Sequence, residues 1–180
     1  LGSKIVLHTE KQFPDVNKIK IALIGVLENR GSNISISEVN LIAVRKELYG
    51  LYPGNWDASI ADLGDILAGN TVEDTYFALR KVASALIKKK IIPIVIGGSQ
   101  DLTYALYRAY DDLEQMVNLV AIDSKFDFGK ESEEVSATSY LTKIIIDEPN
   151  NLFNYCNIGY QTYYNSQEEI DLIDKLFFEA

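Results

Sequence analysis

Between Ile91 and Ile96 the chain reads Ile-Ile-Pro-Ile-Val-Ile, an apolar run of almost entirely β-branched residues. A run this short, flanked by Lys88-Lys89-Lys90 and by Gly97-Gly98, predicts a strand buried on both faces, as in a parallel sheet. Pro93 is tolerated near the start of such a strand. Beyond the glycines the period changes, and Leu102, Ala105, Leu106, Ala109 and Tyr110 mark one face of a helix. A strand, a glycine turn and a helix therefore follow one another. In open α/β sheets, ligands gather at such carboxyl ends of strands, where the helix N-terminus is also electropositive.

The same alternation runs through the rest of the chain. Ile21 to Val26 predicts a strand, followed by a polar loop from Glu28 to Ser35. Ser37 is a candidate N-cap for a helix with Leu41, Val44, Leu48 and Leu51 on one side, ended by Gly50, Pro53 and Gly54. Ile60 to Ile66 predicts a short strand running into Gly64-Asp65. Asn70 and Glu73 stand at capping-box spacing before a helix carrying Val72, Tyr76, Leu79, Ala83 and Leu86. Lys88-Lys89-Lys90 closes that helix as cations at a C-terminus; a phosphate site is the other reading of such a cluster.

Val117 to Ile122 predicts a further buried strand, ending in Asp123-Ser124-Lys125-Phe126-Asp127 and the polar loop Gly129 to Glu134. A helix from about Thr138 to Ile146, a short strand from Cys156 to Tyr160, and a helix with Ile170, Ile173 and Phe177 complete the series. Ser166 and Glu169 form a capping box for the last helix. Strands alternating with helices at this spacing predict one parallel sheet covered on both faces. The strands ending near Val26, Ile66, Ile96, Ile122 and Gly159 are expected as neighbours in it.

Composition narrows the function classes. The 180 residues, 47% hydrophobic, suffice for one sizeable core. With 26 acidic against 17 basic residues, a polyanion-binding surface is not expected, so nucleic acid is excluded as a partner. A single cysteine, Cys156, excludes an intrachain disulfide and fits a reducing, cytoplasmic compartment. On its apolar strand it is expected as a buried core thiol. No run is long and apolar enough to span a membrane, and no membrane partner is expected. Leu1-Gly2-Ser3 in place of an initiator Met, and an end inside a helical pattern, predict a trimmed piece of a longer chain. The eleven tyrosines, among them Tyr155, Tyr160, Tyr163 and Tyr164, fit either the rim of the core or an aromatic surface for a ligand or another subunit. A homo-oligomer is compatible with that surface.

Two strand ends carry the candidate chemistry. An apolar strand ending in Gly97-Gly98, and a second ending in Asp123-x-x-x-Asp127, resemble the arginase, agmatinase and formiminoglutamase family of ureohydrolases. Asp62-Leu63-Gly64-Asp65-Ile66 and Asn157-Ile158-Gly159-Tyr160-Gln161-Thr162 are similar too, the latter most to the formiminoglutamase branch. The resemblance runs from about Ile19 to Ala180. It implies a three-layer α/β/α fold with a mainly parallel sheet, residues 1–180 forming a single domain truncated at its C-terminus. For active members it also implies hydrolysis of a guanidino or formimino C–N bond by two manganese ions.

The departures fall on the metal ligands that the resemblance implies. Gly-Gly-Asp-His of active members is here Gly97-Gly98-Ser99-Gln100, and Asp-Ala-His-x-Asp is Asp123-Ser124-Lys125-Phe126-Asp127. Both ligand histidine positions are lost, to Gln100 and Lys125, and a later pair of aspartates has no counterpart. His8 is the one histidine of the chain. A two-metal site needs carboxylates and neutral imidazoles converging on the ions.

No cofactor and no catalytic residue is therefore expected. Gln100, Asp101, Asp123, Lys125 and Asp127 are expected to line a degenerate pocket, Gln100 and Asp123 approaching each other at the carboxyl edge. If Asp123 to Asp127 runs extended, Lys125 lies between the two carboxylates and pairs with them. In the alternative, Lys125 turns away and Asp123 and Asp127 hold a manganese ion.

Ser99 lacks the Gly-x-Ser-x-Gly frame and the histidine base of a nucleophile. Gly97-Gly98 lacks the further glycines of a phosphate-binding loop. Two functions remain. One is a non-catalytic domain binding a small molecule or a protein; the other is a metal-dependent C–N hydrolase with an altered site.

Overall fold

The computed structural model describes residues 1–32, 39–55, 57–129 and 134–180. In chain order the elements are β1 (Val6–Leu7), β2 (Ile21–Val26), α1 (Leu41–Gly50), β3 (Ile60–Ile66), α2 (Val72–Lys88), β4 (Ile92–Ile96) and α3 (Leu102–Asp111). Then come β5 (Val117–Ile122), α4 (Tyr140–Ile146), β6 (Leu152–Ile158) and α5 (Gln167–Lys175). The strand pairs are parallel, as the α/β alternation requires. They form two ladders, β1-β3-β2-β4 and β5-β6. The single continuous sheet expected from the sequence is thus interrupted between β4 and β5. What joins the two halves there is α3, packed on both.

The helices start and stop for identifiable reasons. Thr71, not Asn70, caps α2: its hydroxyl accepts from the Asp74 N–H at 3.2 Å, and the Asp74 carboxylate accepts from the Thr71 N–H at 2.9 Å. The box lies one residue later than expected, and the Asn70 carbonyl accepts from the Arg30 guanidinium at 3.0 Å. The helix buries Tyr76, Leu79, Ala83 and Leu86 and ends where Lys90 takes a left-handed φ of 60°. For α1 the cap is Asn40, whose side chain accepts from the Ile42 and Ala43 N–H groups; Ser37 lies outside the described residues. Its inner face is Leu41, Arg45, Leu48 and Tyr49, while Val44 and Leu51 are exposed. Arg45 rotates the helix by pairing with Asp62 and Asp65, both at 2.7 Å.

At the end of the chain the Ser166–Glu169 capping box is present, and Ile173 is buried. Phe177 is not part of that face. The helix stops at Lys175, Phe177 turns outward at φ 58°, and Phe178 packs edge-on against Tyr155 instead. Strand β6 begins at Leu152 rather than Cys156, and Cys156 is half-buried rather than a core thiol.

The helices α2 and α3 cover one face of the first ladder through Ala22, Ile24, Val26 and Ala61. On the other face α1 covers Leu23 and Ile60. A second cluster, Tyr107, Phe126, Tyr140, Leu141, Ile144, Tyr155 and Ile173, joins α3, α4 and α5 to β5 and β6. The face that α1 covers on β2 and β3 is left bare on β4 and β5, where Ile92, Ile94, Val120 and Ile122 are exposed. Full burial was expected of β4 and β5; β2 is buried along nearly its whole length, whereas β4 and β5 each leave one face open.

Candidate functional site at the carboxyl edge

The turn after β4 is held in place by backbone. Gly98 sits so close to the Glu28 carbonyl that an added Cβ would lie 1.7 Å from its oxygen, which explains glycine at this position. The Ser99 N–H donates to that same carbonyl at 3.0 Å. Behind the turn, the Glu28 carboxylate is buried and accepts from the Arg30 guanidinium, the Arg30 N–H and the Thr75 hydroxyl. Burial pushes its pKa up, but these bonds outweigh burial and hold it at about 2.

From this turn Gln100 reaches across to the second ladder. Its side-chain N–H donates to Asp123 Oδ2 at 2.6 Å and to the Tyr140 hydroxyl at 3.3 Å. Gln100 and Asp123 therefore meet, as the sequence predicts. Asp123 Oδ1 accepts the Lys125 backbone N–H at 3.1 Å.

Beyond Asp123 the chain does not stay extended. Asp127 has a φ of 58°, in the left-handed region, so the alternation assumed for Asp123, Lys125 and Asp127 fails. The Lys125 ammonium lies 5.9 Å from the centre of the Tyr164 ring. Among the described residues it forms no ion pair with Asp123 or Asp127. The expected ion-pair cluster is replaced by a lysine turned outward. Asp127 is buried, and its carboxyl is raised to about 7, first by desolvation and then by the charge of Asp123, with Lys125 opposing.

Asp101, the fifth expected pocket residue, does not join the others. It is fully buried and accepts from the Tyr76 hydroxyl, on the α2 side of the turn. Its other oxygen and Ser99 Oγ are buried with no hydrogen-bond partner among the described residues.

Three residues that position the site stand outside the expected set. Asn165 holds the Asp123–Asp127 loop at both ends of its amide: Oδ1 accepts the Phe126 N–H at 2.9 Å and Nδ2 donates to the Ser124 carbonyl at 2.9 Å. Asn157 donates to the Lys125 carbonyl at 3.0 Å. Tyr140, buried under Gln100, is the third; burial moves its hydroxyl well above the ordinary tyrosine range. Asn157 lies inside the Asn157–Thr162 stretch that the sequence singles out. Asn165 and Tyr140 belong to no motif and stand among polar neighbours in the sequence, so no signal there marks them.

The sequence model of the arginase family matches residues 29–179. The chain belongs to the arginase family. Within it the relatives are formiminoglutamase-like. It is 27% identical over 157 residues to the formimidoylglutamase of Lysinibacillus sphaericus, a match covering 84% of this chain and 48% of that protein. It is 31% identical over 91 residues to that of Halobacterium salinarum, covering 47% and 30%. This arginase-family chain thus spans about half the length of the first of these relatives.

Solved structures share the fold. The Trypanosoma cruzi formiminoglutamase with manganese superposes with a TM-score of 0.77 at 17% identity, over 89% of this chain and 59% of that one. The Bacillus subtilis formimidoylglutamase gives 0.74 at 16%, over 96% and 60%.

Among the described residues, the donors at the carboxyl edge are two carboxylates, one of which accepts from the Gln100 amide, and no imidazole is with them. His8, the one histidine, lies beside β3, where its N–H donates to the Asp62 carbonyl. Among the described residues, no group of three or more His, Cys, Asp or Glu side chains is placed to hold an ion. No described helix is long and apolar enough to cross a membrane.

Proposed function

We propose that this arginase-family domain is a non-hydrolytic binding or interaction module. Its carboxyl-edge cluster of Gln100, Asp123 and Asp127 takes a ligand directly, without a manganese pair. The observation that carries this reading is the bond from Gln100 to Asp123. An amide N–H occupies one acceptor position of the Asp123 carboxylate, and an amide is a weak substitute for imidazole toward a transition metal. Without a bound dication no group here lowers the pKa of water toward neutrality. The residues present can instead offer an amide, a carboxylate and a carboxyl that shares its proton near neutral pH to a small polar molecule or a protein segment.

A second reading has its own support. The curated relatives are formimidoylglutamases, and the Trypanosoma cruzi structure carries manganese. Lys125 is turned away, as a C–N hydrolase with an altered metal site held by Asp123 and Asp127 would require. Metal analysis of protein purified with manganese present separates the two. Near-stoichiometric metal, or chelator-sensitive turnover of formiminoglutamate, arginine or agmatine, selects the hydrolase; neither is expected.

A further inference from the structure

Helices α2 and α3 lie side by side and run in the same direction: Tyr76 meets the ring of Tyr104, and further on the Ser84 hydroxyl donates to the Ala109 carbonyl. Between them, where Ala105 is too small to fill the groove, is a hollow of about 430 Å³. That is the size of a small-molecule site. It shares no residue with the Gln100–Asp123 cluster.

The aromatic lining is fixed in place. The Tyr76 hydroxyl is bonded to Asp101 and that of Tyr104 to Asp147 at 2.6 Å, and the two rings meet edge-on at 6.2 Å. Phe77 is exposed on the α2 side, with the Lys81 ammonium 5.3 Å from its ring centre. Rings held this way offer apolar area at little entropic cost.

The two ends of the hollow carry opposite charge. At the start of α2 stand Glu73 and Asp74, and neither forms an ion pair among the described residues. Seven residues after Glu73, about 10 Å along the helix axis, stands Arg80, joined from α3 by Arg108. Asp112 and Asp111 pair with these arginines, at Arg80 Nε and Arg108 Nη1, both at 2.6 Å. The pairing orients the guanidinium groups without exhausting them, because each has five N–H donors. Arg80 Nη1, and Arg108 Nε and Nη2, have no acceptor among the described residues.

We infer that this hollow binds a straight-chain ω-amino carboxylate. Its ammonium lies at Glu73 and Asp74, its methylenes over Tyr76, Phe77 and Tyr104, and its carboxylate on the free N–H groups of Arg80 and Arg108. A ligand of single charge would leave one end of the hollow covered and unmatched. A compact polar molecule would leave the rings unused. The inference does not depend on what the carboxyl-edge cluster binds.

Calorimetric titration of the 180-residue chain with 6-aminohexanoate tests it, with hexylamine and hexanoate as half-ligands. One-to-one binding at about 1 mM or tighter is expected. Each half-ligand lacks one charge-assisted contact and should bind about tenfold more weakly. Glu73→Gln and Arg80→Gln, checked for fold by circular dichroism, should each weaken 6-aminohexanoate about tenfold. Should Arg80→Gln fail to fold because Asp112 loses its partner, Glu73→Gln and the half-ligands decide. Asp123→Asn should leave binding unchanged, and amide chemical shifts should move at 73–80 and 104–108 but not at 123–127. No saturable binding up to about 10 mM overturns the inference. So does a half-ligand that binds as tightly as 6-aminohexanoate, since one charged end is then idle. Binding lost in Asp123→Asn but kept in Glu73→Gln assigns the ligand to the carboxyl edge, and overturns the inference while leaving the function proposed for that edge standing.

Discussion

Replacing Asp127 by asparagine should stabilise the protein, and by an amount set by pH. The carboxyl is buried beside Asp123 and raised from an ordinary 3.8 to about 7. A carboxyl with a raised folded-state pKa binds its proton more tightly in the native state. Its contribution is therefore favourable below about pH 4 and is lost as pH rises towards 7. The gap of roughly three pH units corresponds to about 4 kcal/mol between the two limits.

Asparagine keeps the shape, carries no charge to desolvate and tolerates the left-handed φ of 58° at this position. Urea unfolding of both proteins at intervals from pH 4.5 to 8.5 measures the effect. The variant should gain little at the acid end and about 2–4 kcal/mol at pH 8, seen as a shift in midpoint at constant slope. A difference that does not change with pH, or a variant less stable at pH 8, would refute the account of Asp127.

Other perturbations follow from the same contacts. Restoring imidazole with Gln100→His and Lys125→His together should raise manganese affinity at least tenfold by calorimetry; no gain would mean that the loop geometry after Asp123 cannot converge on an ion. Arg45→Met leaves the buried Asp62 carboxylate without its cation and should cost about 3–5 kcal/mol in urea, with Arg45→Lys retaining part of it. Glu28, held at about 2 rather than 4.5, contributes stability above pH 4.5 that is lost as pH falls towards 2. Glu28→Gln should therefore flatten the acid limb of the stability curve by about 2–3 kcal/mol, Arg30 being partly open to solvent.

Strand β4 and helix α2 were legible as elements from their apolar period, but only α2 buries a complete face; β4 leaves Ile92 and Ile94 exposed. Helix α1 was legible only as a helix. Its orientation is fixed by an arginine between two aspartates, and polar pairing leaves no trace in hydropathy. The meeting of Gln100 and Asp123 followed from two strands ending at one edge. The posture of Lys125 did not, because it depends on Asp127 adopting a positive φ, which no neighbouring glycine announced. The gap between the ladders was hidden for a different reason. An apolar strand carries the same residues whether its partner is present or missing, so Ile94 and Val120 read as buried although they are exposed.

Helix α3 is the one described helix with residues in both large hydrophobic clusters: Leu102 and Ala105 at one end, Tyr107 further along. Their buried residues otherwise come from separate stretches of chain, the first ending at α3 and the second beginning there, and Val135 packs against both. Such an arrangement makes two cooperative units joined by a shared shaft. Contacts within each unit are comparatively local, so the first can assemble as soon as α3 has been synthesised, before β5 or β6 exists to pair. The helix then presents Tyr107 as a ready surface on which the later stretch condenses. Loosening α3 would uncouple the halves before it melted either one.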